Sequence, residues 1–257
     1  MRRGRLILAG ALLAGAALFP VTPFRAAAAE VDHQQEYQAC MTLARERPED
    51  AYSSGLAWYQ QGGGIPARHC LAVALLQLGQ YDEAAARLER LATDLGTART
   101  ALLGGILMQA GQAWYLAGRP DKALKLQSVL LDLAPDDPEL WVDRAVTLMD
   151  LERFEPALAD LDEAIRRQPD LVEAHTYRAV ALRQLDRLED AAKEVDAVLK
   201  MAPYDPDALL ERGILRQYQG DLDGARADWL QVIQIAPDSR AAAAARGRIE
   251  EMDVIVR

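Results

Sequence analysis

The sequence predicts an all-α protein, a right-handed superhelical solenoid of antiparallel helix pairs. Three observations carry this. Prolines fall at Pro135, Pro169, Pro203 and Pro237, each 34 residues after the last. Other columns keep the same step: small residues at Gly111, Ala145, Ala179 and Gly213 and at Ala123, Ala157, Ala191 and Ala225, turn-compatible residues at Gly118, Glu152, Asp186 and Gly220, and medium apolar or small residues at Leu130, Ala164, Val198 and Val232. A fixed period of this length marks a repeat array. Finally, the 257 residues are 51% apolar but only 6% aromatic, an alanine- and leucine-rich mixture that suits helices.

The first segment, residues 1–29, is read as a signal peptide. It has a basic start (Arg2, Arg3, Arg5), an apolar run from Leu6 to Phe19, and a small-residue stretch, Ala26–Ala29, before Glu30. The alternative is an uncleaved anchor, but the run falls short of the roughly 20 residues that span a bilayer. The Arg2-Arg3 pair leaves Sec and Tat export both open. Cleavage after Ala29 would remove four of the 29 basic residues and no acids, leaving 25 against 39 acidic residues and a net charge of −14. Such a chain repels nucleic acids and anionic lipid. The expected location is periplasmic or secreted, with no membrane insertion after cleavage.

Residues 30–64 read as a degenerate helix pair. The glycines of "QQGGGIPARHC" end its second helix, and Pro66 falls in the first turn of the next. Repeats are then expected at 65–98, 104–137, 138–171, 172–205 and 206–239. Within 138–171, apolar residues recur at helical spacing from Trp141 to Leu151 and again from Phe154 through Ala157, Leu161, Ala164 and Ile165. The small columns allow close helix crossing. Ala84 and Ala123 are 39 residues apart, five more than one period. That offset predicts a helix end near Leu95 and a lengthened following helix capped at Thr97. Residues 240–257 supply a polar-faced capping helix.

The "W…A…L…F…A…L…A…P" arrangement from Trp141 to Pro169 is similar to the signature of the tetratricopeptide repeat (TPR) family. The resemblance implies a protein-interaction scaffold that takes a peptide or helix on its concave face, built mainly from the first helix of each unit. In this sequence the partner-binding groove would include Met108, Gln112, Tyr115, Val142, Val146, Met149, Thr176, Tyr177, Val180, Arg183, Leu210, Ile214, Gln217 and Tyr218. Neighbouring helices burying part of this face is the plainer alternative. No lysine or asparagine occupies it, so the carboxylate-clamping specificity of some members is not expected.

Arg144, Arg178 and Arg212 recur with the period and could form a ligand ladder. Each, however, has an acid 16 residues later: Asp160, Glu194 and Asp228. The unit carrying Ala110 in place of the arginine carries Leu126 in place of the acid. Matched presence and absence favours structural ion pairs. Cys40 and Cys70, the only cysteines, predict one disulfide in an exported chain, with a reactive thiol pair as the alternative. His33, His69 and His175 lie apart without ligand spacing, and "GGG" lacks the Gly-Lys-Ser/Thr of a phosphate loop. No catalytic residue, metal or cofactor is expected. Self-association into a homo-oligomer and a thiol-dependent envelope enzyme stand as the other function classes.

Overall fold

The computed structural model describes residues 32–96 and 101–255. The leader at residues 1–29 and the cap at Thr97 lie outside the described residues. Thirteen α-helices fill the described chain. The first six are α1 (His33–Glu46), α2 (Pro48–Gln60), α3 (Gly64–Gln77), α4 (Tyr81–Leu95), α5 (Ala101–Leu116) and α6 (Pro120–Leu133). Then come α7 (Pro138–Asp150), α8 (Phe154–Arg167), α9 (Val172–Gln184), α10 (Leu188–Met201), α11 (Pro206–Tyr218), α12 (Leu222–Ile235) and α13 (Arg240–Ile255). The result is an all-α superhelical solenoid. Consecutive helices pack on each other, and the odd-numbered α7, α9, α11 and α13 also touch in sequence along one face.

The five pairs from α3–α4 to α11–α12 turn through one recurrent device. Gly79, Gly118, Glu152, Asp186 and Gly220 all take positive φ, between 56° and 81°. The next residue donates its amide to the carbonyl five residues back, at 2.9 Å in every case: Gln80 to Leu75, Arg119 to Trp114, Arg153 to Leu148, Arg187 to Leu182, Asp221 to Arg216. This is the Schellman closure that satisfies helix-end carbonyls. Glu152 and Asp186 perform it without glycine's freedom. The following helices open on a second periodic device. Asp137, Asp205 and Ser239, spaced by multiples of 34, accept amide protons from Glu139, Ala208 and Ala242 at 2.8–3.0 Å. Leu171 occupies the same column and caps nothing.

The small columns are where paired helices meet. Ala145, Ala157, Ala179, Ala191 and Ala225 have no exposed surface. Gly213 is glycine for a specific reason. A Cβ there would stand 2.3 Å from Nε1 of Trp229, the largest fully buried side chain. Trp229 occupies the column filled by Leu161 and Val195, which face alanines instead. Ala241, Ala242, Ala245 and Met252 of α13 pack over this end of the core.

The three arginines meet their acids. Arg144 grips Asp160 with two bonds, 2.7 and 2.6 Å, and Arg212 grips Asp228 likewise, at 3.0 and 2.7 Å. Arg178 bonds Glu194 at 2.8 Å and reaches Asp162 with its other amino group. Asp160 and Asp228 are only 4% and 2% exposed. These pairs are therefore not the lightly held surface bridges that a solvated helix face would imply. Losing one partner strands a buried carboxylate, which costs about 3–5 kcal/mol. The bond to Asp160 holds the Arg144 guanidinium above its ordinary pKa. Cys40 and Cys70 are disulfide-bonded, with Cα atoms 6.1 Å apart, joining α1 to α3. A cross-link closing this loop stabilises by roughly 3–4 kcal/mol on the chain-entropy account.

Two stability outcomes follow from this packing. Arg144→Met should lower stability by about 3 kcal/mol in urea unfolding, and adding Asp160→Leu should recover most of it, because the Ala110–Leu126 unit already tolerates an apolar pair. Recovery of less than a third would mean that the pair contributes net attraction. Gly213→Ala should cost about 1–3 kcal/mol, and Trp229→Leu beside it should cost less than the two single changes together. Additive melting shifts would show that the tryptophan does not require the glycine.

Candidate partner-binding groove

The odd-numbered helices leave two cavities side by side on the face they share. The first, about 320 Å³, is lined by Met108, Gln112 and Tyr115 of α5, Gln127 and Leu130 of α6, Leu140, Asp143, Val146 and Thr147 of α7, and Glu173 and Tyr177 of α9. The second, about 740 Å³, runs on from Glu173 and Tyr177 over Leu171, Val172, Thr176 and Val180 to Asp205, Asp207, Leu210 and Glu211, and ends at Ser239, Arg240 and Ala241. Glu173 and Tyr177 border both, so the two form one groove across α5 to α13.

The groove residues expected from sequence divide into three groups. Met108, Gln112, Tyr115, Val146, Thr176, Tyr177, Val180 and Leu210 line it. Val142 and Ile214 do not: at 3% and 6% exposure they sit in the core, one helical position too far round toward the neighbouring helix. Thr176 reaches the lining but is 7% exposed, and its hydroxyl donates to the Val172 carbonyl. Met149, Arg183, Gln217 and Tyr218 line neither cavity. Met149 packs on the α7–α8 core, and Arg183 is held by the buried Glu211.

Sequence reasoning missed the carboxylates at the helix starts. Glu139, Glu173 and Asp207 form a 34-residue column, each in the first turn of its helix. Acids there complement the helix dipole, so the column reads as ordinary capping chemistry. Its periodicity was the available signal. In the groove, the side chains of Asp143, Glu173 and Asp207 make no hydrogen bond or ion pair among the described residues, although Arg240 lines the second cavity with two of them. Water reaches all three, yet the groove walls exclude enough of it to push each carboxyl above its ordinary pKa. Like charge adds to this, from Glu139 and Asp137 on Asp143, from Asp143, Glu139 and Asp207 on Glu173, and from Asp205 on Asp207. Tyr115 donates its hydroxyl to Asp150, and that bond, with burial, raises its pKa to about 12.

The histidines take structural places. His175 Nε2 donates to the Pro169 carbonyl at 2.9 Å, and Nδ1 meets Glu194 at 2.8 Å. Trp141, one repeat earlier, bonds the Pro135 carbonyl in the same way. His69 is buried between the Tyr37 hydroxyl, 2.7 Å, and Gln109 Oε1, 2.6 Å, so Nε2 carries its proton and Nδ1 accepts; burial lowers its pKa. His33 stacks on Trp58. Among the described residues no group of three or more His, Cys, Asp or Glu side chains is arranged to hold a metal.

A stack of helix pairs with a groove on one face defines a repeat protein of the interaction-scaffold architecture. Tetratricopeptide repeat models match residues 71–138, 112–184 and 207–239, and the chain belongs to that family. Its fold is similar to a tetratricopeptide repeat protein from Parabacteroides merdae, at 17% identity and TM-score 0.73, covering 86% of this chain and 88% of that one. It is also similar to MamA from Desulfovibrio magneticus (16% identity, TM-score 0.58, 68% of this chain and 97% of that one). A third is YrrB, described as a TPR protein with an unusual peptide-binding site (19%, 0.53, 77% and 98%). No curated protein matches the chain.

The raised carboxyls give a signed pH dependence. A carboxyl with its folded pKa above its unfolded value leaves stability intact below about pH 4 and removes it as pH rises through the folded pKa. The triple variant Asp143→Asn, Glu173→Gln, Asp207→Asn should therefore melt higher than the parent chain at pH 7. That advantage should shrink to nothing by pH 3. An advantage independent of pH, or a loss at pH 7, would contradict the assignment.

Proposed function

We propose that the protein is an exported, periplasmic interaction scaffold that holds a peptide or helix of a partner protein in the groove formed by α5, α7, α9, α11 and α13. The groove itself carries this reading. It is continuous over successive repeats, long enough for several residues of a partner, and lined by Tyr115, Tyr177, Val146, Val180 and Leu210, side chains that offer apolar area with polar tips. YrrB supplies a precedent for peptide binding on this fold, as likeness of fold alone. The leader pattern of residues 1–29 and the Cys40–Cys70 disulfide support an oxidising compartment outside the cytoplasm. Binding without catalysis fits the histidines' structural bonds and the disulfide's occupation of both cysteines.

Photo-crosslinking tests this directly. A benzoylphenylalanine at Val180 or Met108 should form adducts with a discrete protein in living cells, and Tyr177→Lys should abolish them while the circular dichroism stays native. The same probe at Leu230, which is 52% exposed on α12, should give none. Adducts from Leu230 with none from the groove would move the binding surface elsewhere.

A further inference from the structure

We propose that the occupant of this groove is a cationic protein segment, one that sets lysine or arginine side chains among apolar ones. The inference rests on the groove being the docking surface and adds the chemistry of what docks.

The groove presents three carboxylates that no group of the chain pairs, beside hydroxyl and amide side chains and one lining cation, Arg240. Asp143, Glu173 and Asp207 line it unpaired. Gln127 Oε1 is buried beside the first cavity with no partner. Its orientation is fixed, because Nε2 donates to the Asp143 carbonyl at 3.1 Å and to Thr147 Oγ1 at 2.9 Å; the reversed amide would set two acceptors together. The chain does not lack arginines to satisfy such groups. It places them against Asp160, Glu194, Glu211 and Asp228, all outside the first cavity. In the second cavity Glu211 is consumed by Arg183, and the lining cation is Arg240, whose charge bears on Tyr115 and Tyr177 and is not among those acting on the three carboxyls. An unpaired carboxylate in a groove that half excludes water attracts a cation more strongly than one on an open surface. Tyr177, between the two cavities, adds an aromatic face on which a guanidinium or ammonium can rest.

The spacing narrows the partner further. Glu173 and Asp207 stand one repeat apart on α9 and α11, which are in contact. Packed helices lie about 8–10 Å apart. Two turns of a helix rise about 11 Å. Basic side chains seven residues apart on one face of a docked helix would therefore meet successive carboxylates, with apolar residues between them against Val180 and Leu210.

The probe is a random 12-residue peptide library displayed on phage and panned on the disulfide-bonded chain, residues 30–257, at 150 mM salt. Selected peptides are remeasured by fluorescence anisotropy against two triple variants. One removes the groove charges (Asp143→Asn, Glu173→Gln, Asp207→Asn). The other removes three charges from the exposed helix starts of α6, α8 and α10 (Asp121→Asn, Glu155→Gln, Glu189→Gln), which have the same period. Net charge changes equally in both, so general attraction to an acidic protein cancels. The expected result is selection of peptides with two or more Lys or Arg among apolar residues. Their affinity should fall about tenfold or more in the groove triple and less than about twofold in the control. Equal losses in both triples, or no loss in either, overturn the inference. Groove-binding peptides that are neutral or acidic, competed by Tyr177→Lys, overturn the cationic inference and leave the docking surface standing. Selected peptides that bind Tyr177→Lys as well as the parent chain overturn the docking surface, and this inference with it.

Discussion

The close approach of paired helices at the small-residue columns is the constraint on which the rest of the molecule depends. Ala145 and Ala157, Ala179 and Ala191, and Gly213 and Ala225 recur at one period; the alanines are fully buried, and a Cβ on Gly213 would strike Trp229. Where one side chain grows, as at Trp229, its neighbour has shrunk to glycine. Interiors packed to crystal density behave this way: volume is conserved locally. The crossing so fixed aims every odd-numbered helix at the same face, and only for that reason do residues 34 apart become neighbours along a groove.

That geometry also decides which charges are spent on stability. Arg144, Arg178 and Arg212 of α7, α9 and α11 point toward the even-numbered helices and meet acids that are buried or nearly so. A buried pair is weak as a source of stability and costly to break. The pair's absence from the Ala110–Leu126 unit shows that the fold does not need it in every repeat. The opposite edge of the same helices carries Asp143, Glu173 and Asp207, on which no arginine has been placed. Carboxylates thus lie paired on the even-numbered helices and unpaired on the groove side of the odd-numbered ones.

Much of this was legible in the sequence, for a physical reason. A repeat array repeats its own alignment, so columns of proline, small and turn residues stand out within a single chain. The arginine–acid pairs were legible because their absence was correlated too. Groove membership was less so. Val142 and Ile214 differ from lining residues by about 100° of helix rotation, and the packing of the neighbouring helix decides that they are covered. The helix-start acids were hidden by sufficiency: dipole complementarity accounts for Glu173 and Asp207 completely, and nothing local reveals that their side chains share a concave wall with Asp143. The depth of the ion-pair carboxylates was also invisible, since a spacing of 16 residues pairs Asp160 and Asp228 with arginines without saying how little water reaches them.

A helix-start acid has two environments in this molecule, and they separate the local cause from the collective one. The column Asp121, Glu155, Glu189 and Asp223 opens the even-numbered helices and lies exposed on the outer surface. The column Glu139, Glu173 and Asp207 opens the odd-numbered helices and is also reached by water, but Glu173 and Asp207 line the groove. Dipole complementarity is equal for both, so it explains each acid singly and neither column's surroundings. On the outer surface water screens the charges and they cost nothing to keep. In the groove like charges converge with less water between them, a cost that stability alone would have removed by pairing or by replacement with a neutral cap. A destabilised arrangement kept at a concave surface is one that the proposed cationic partner would relieve: the repulsion present in the empty groove would be released as its charge enters and so become part of the affinity.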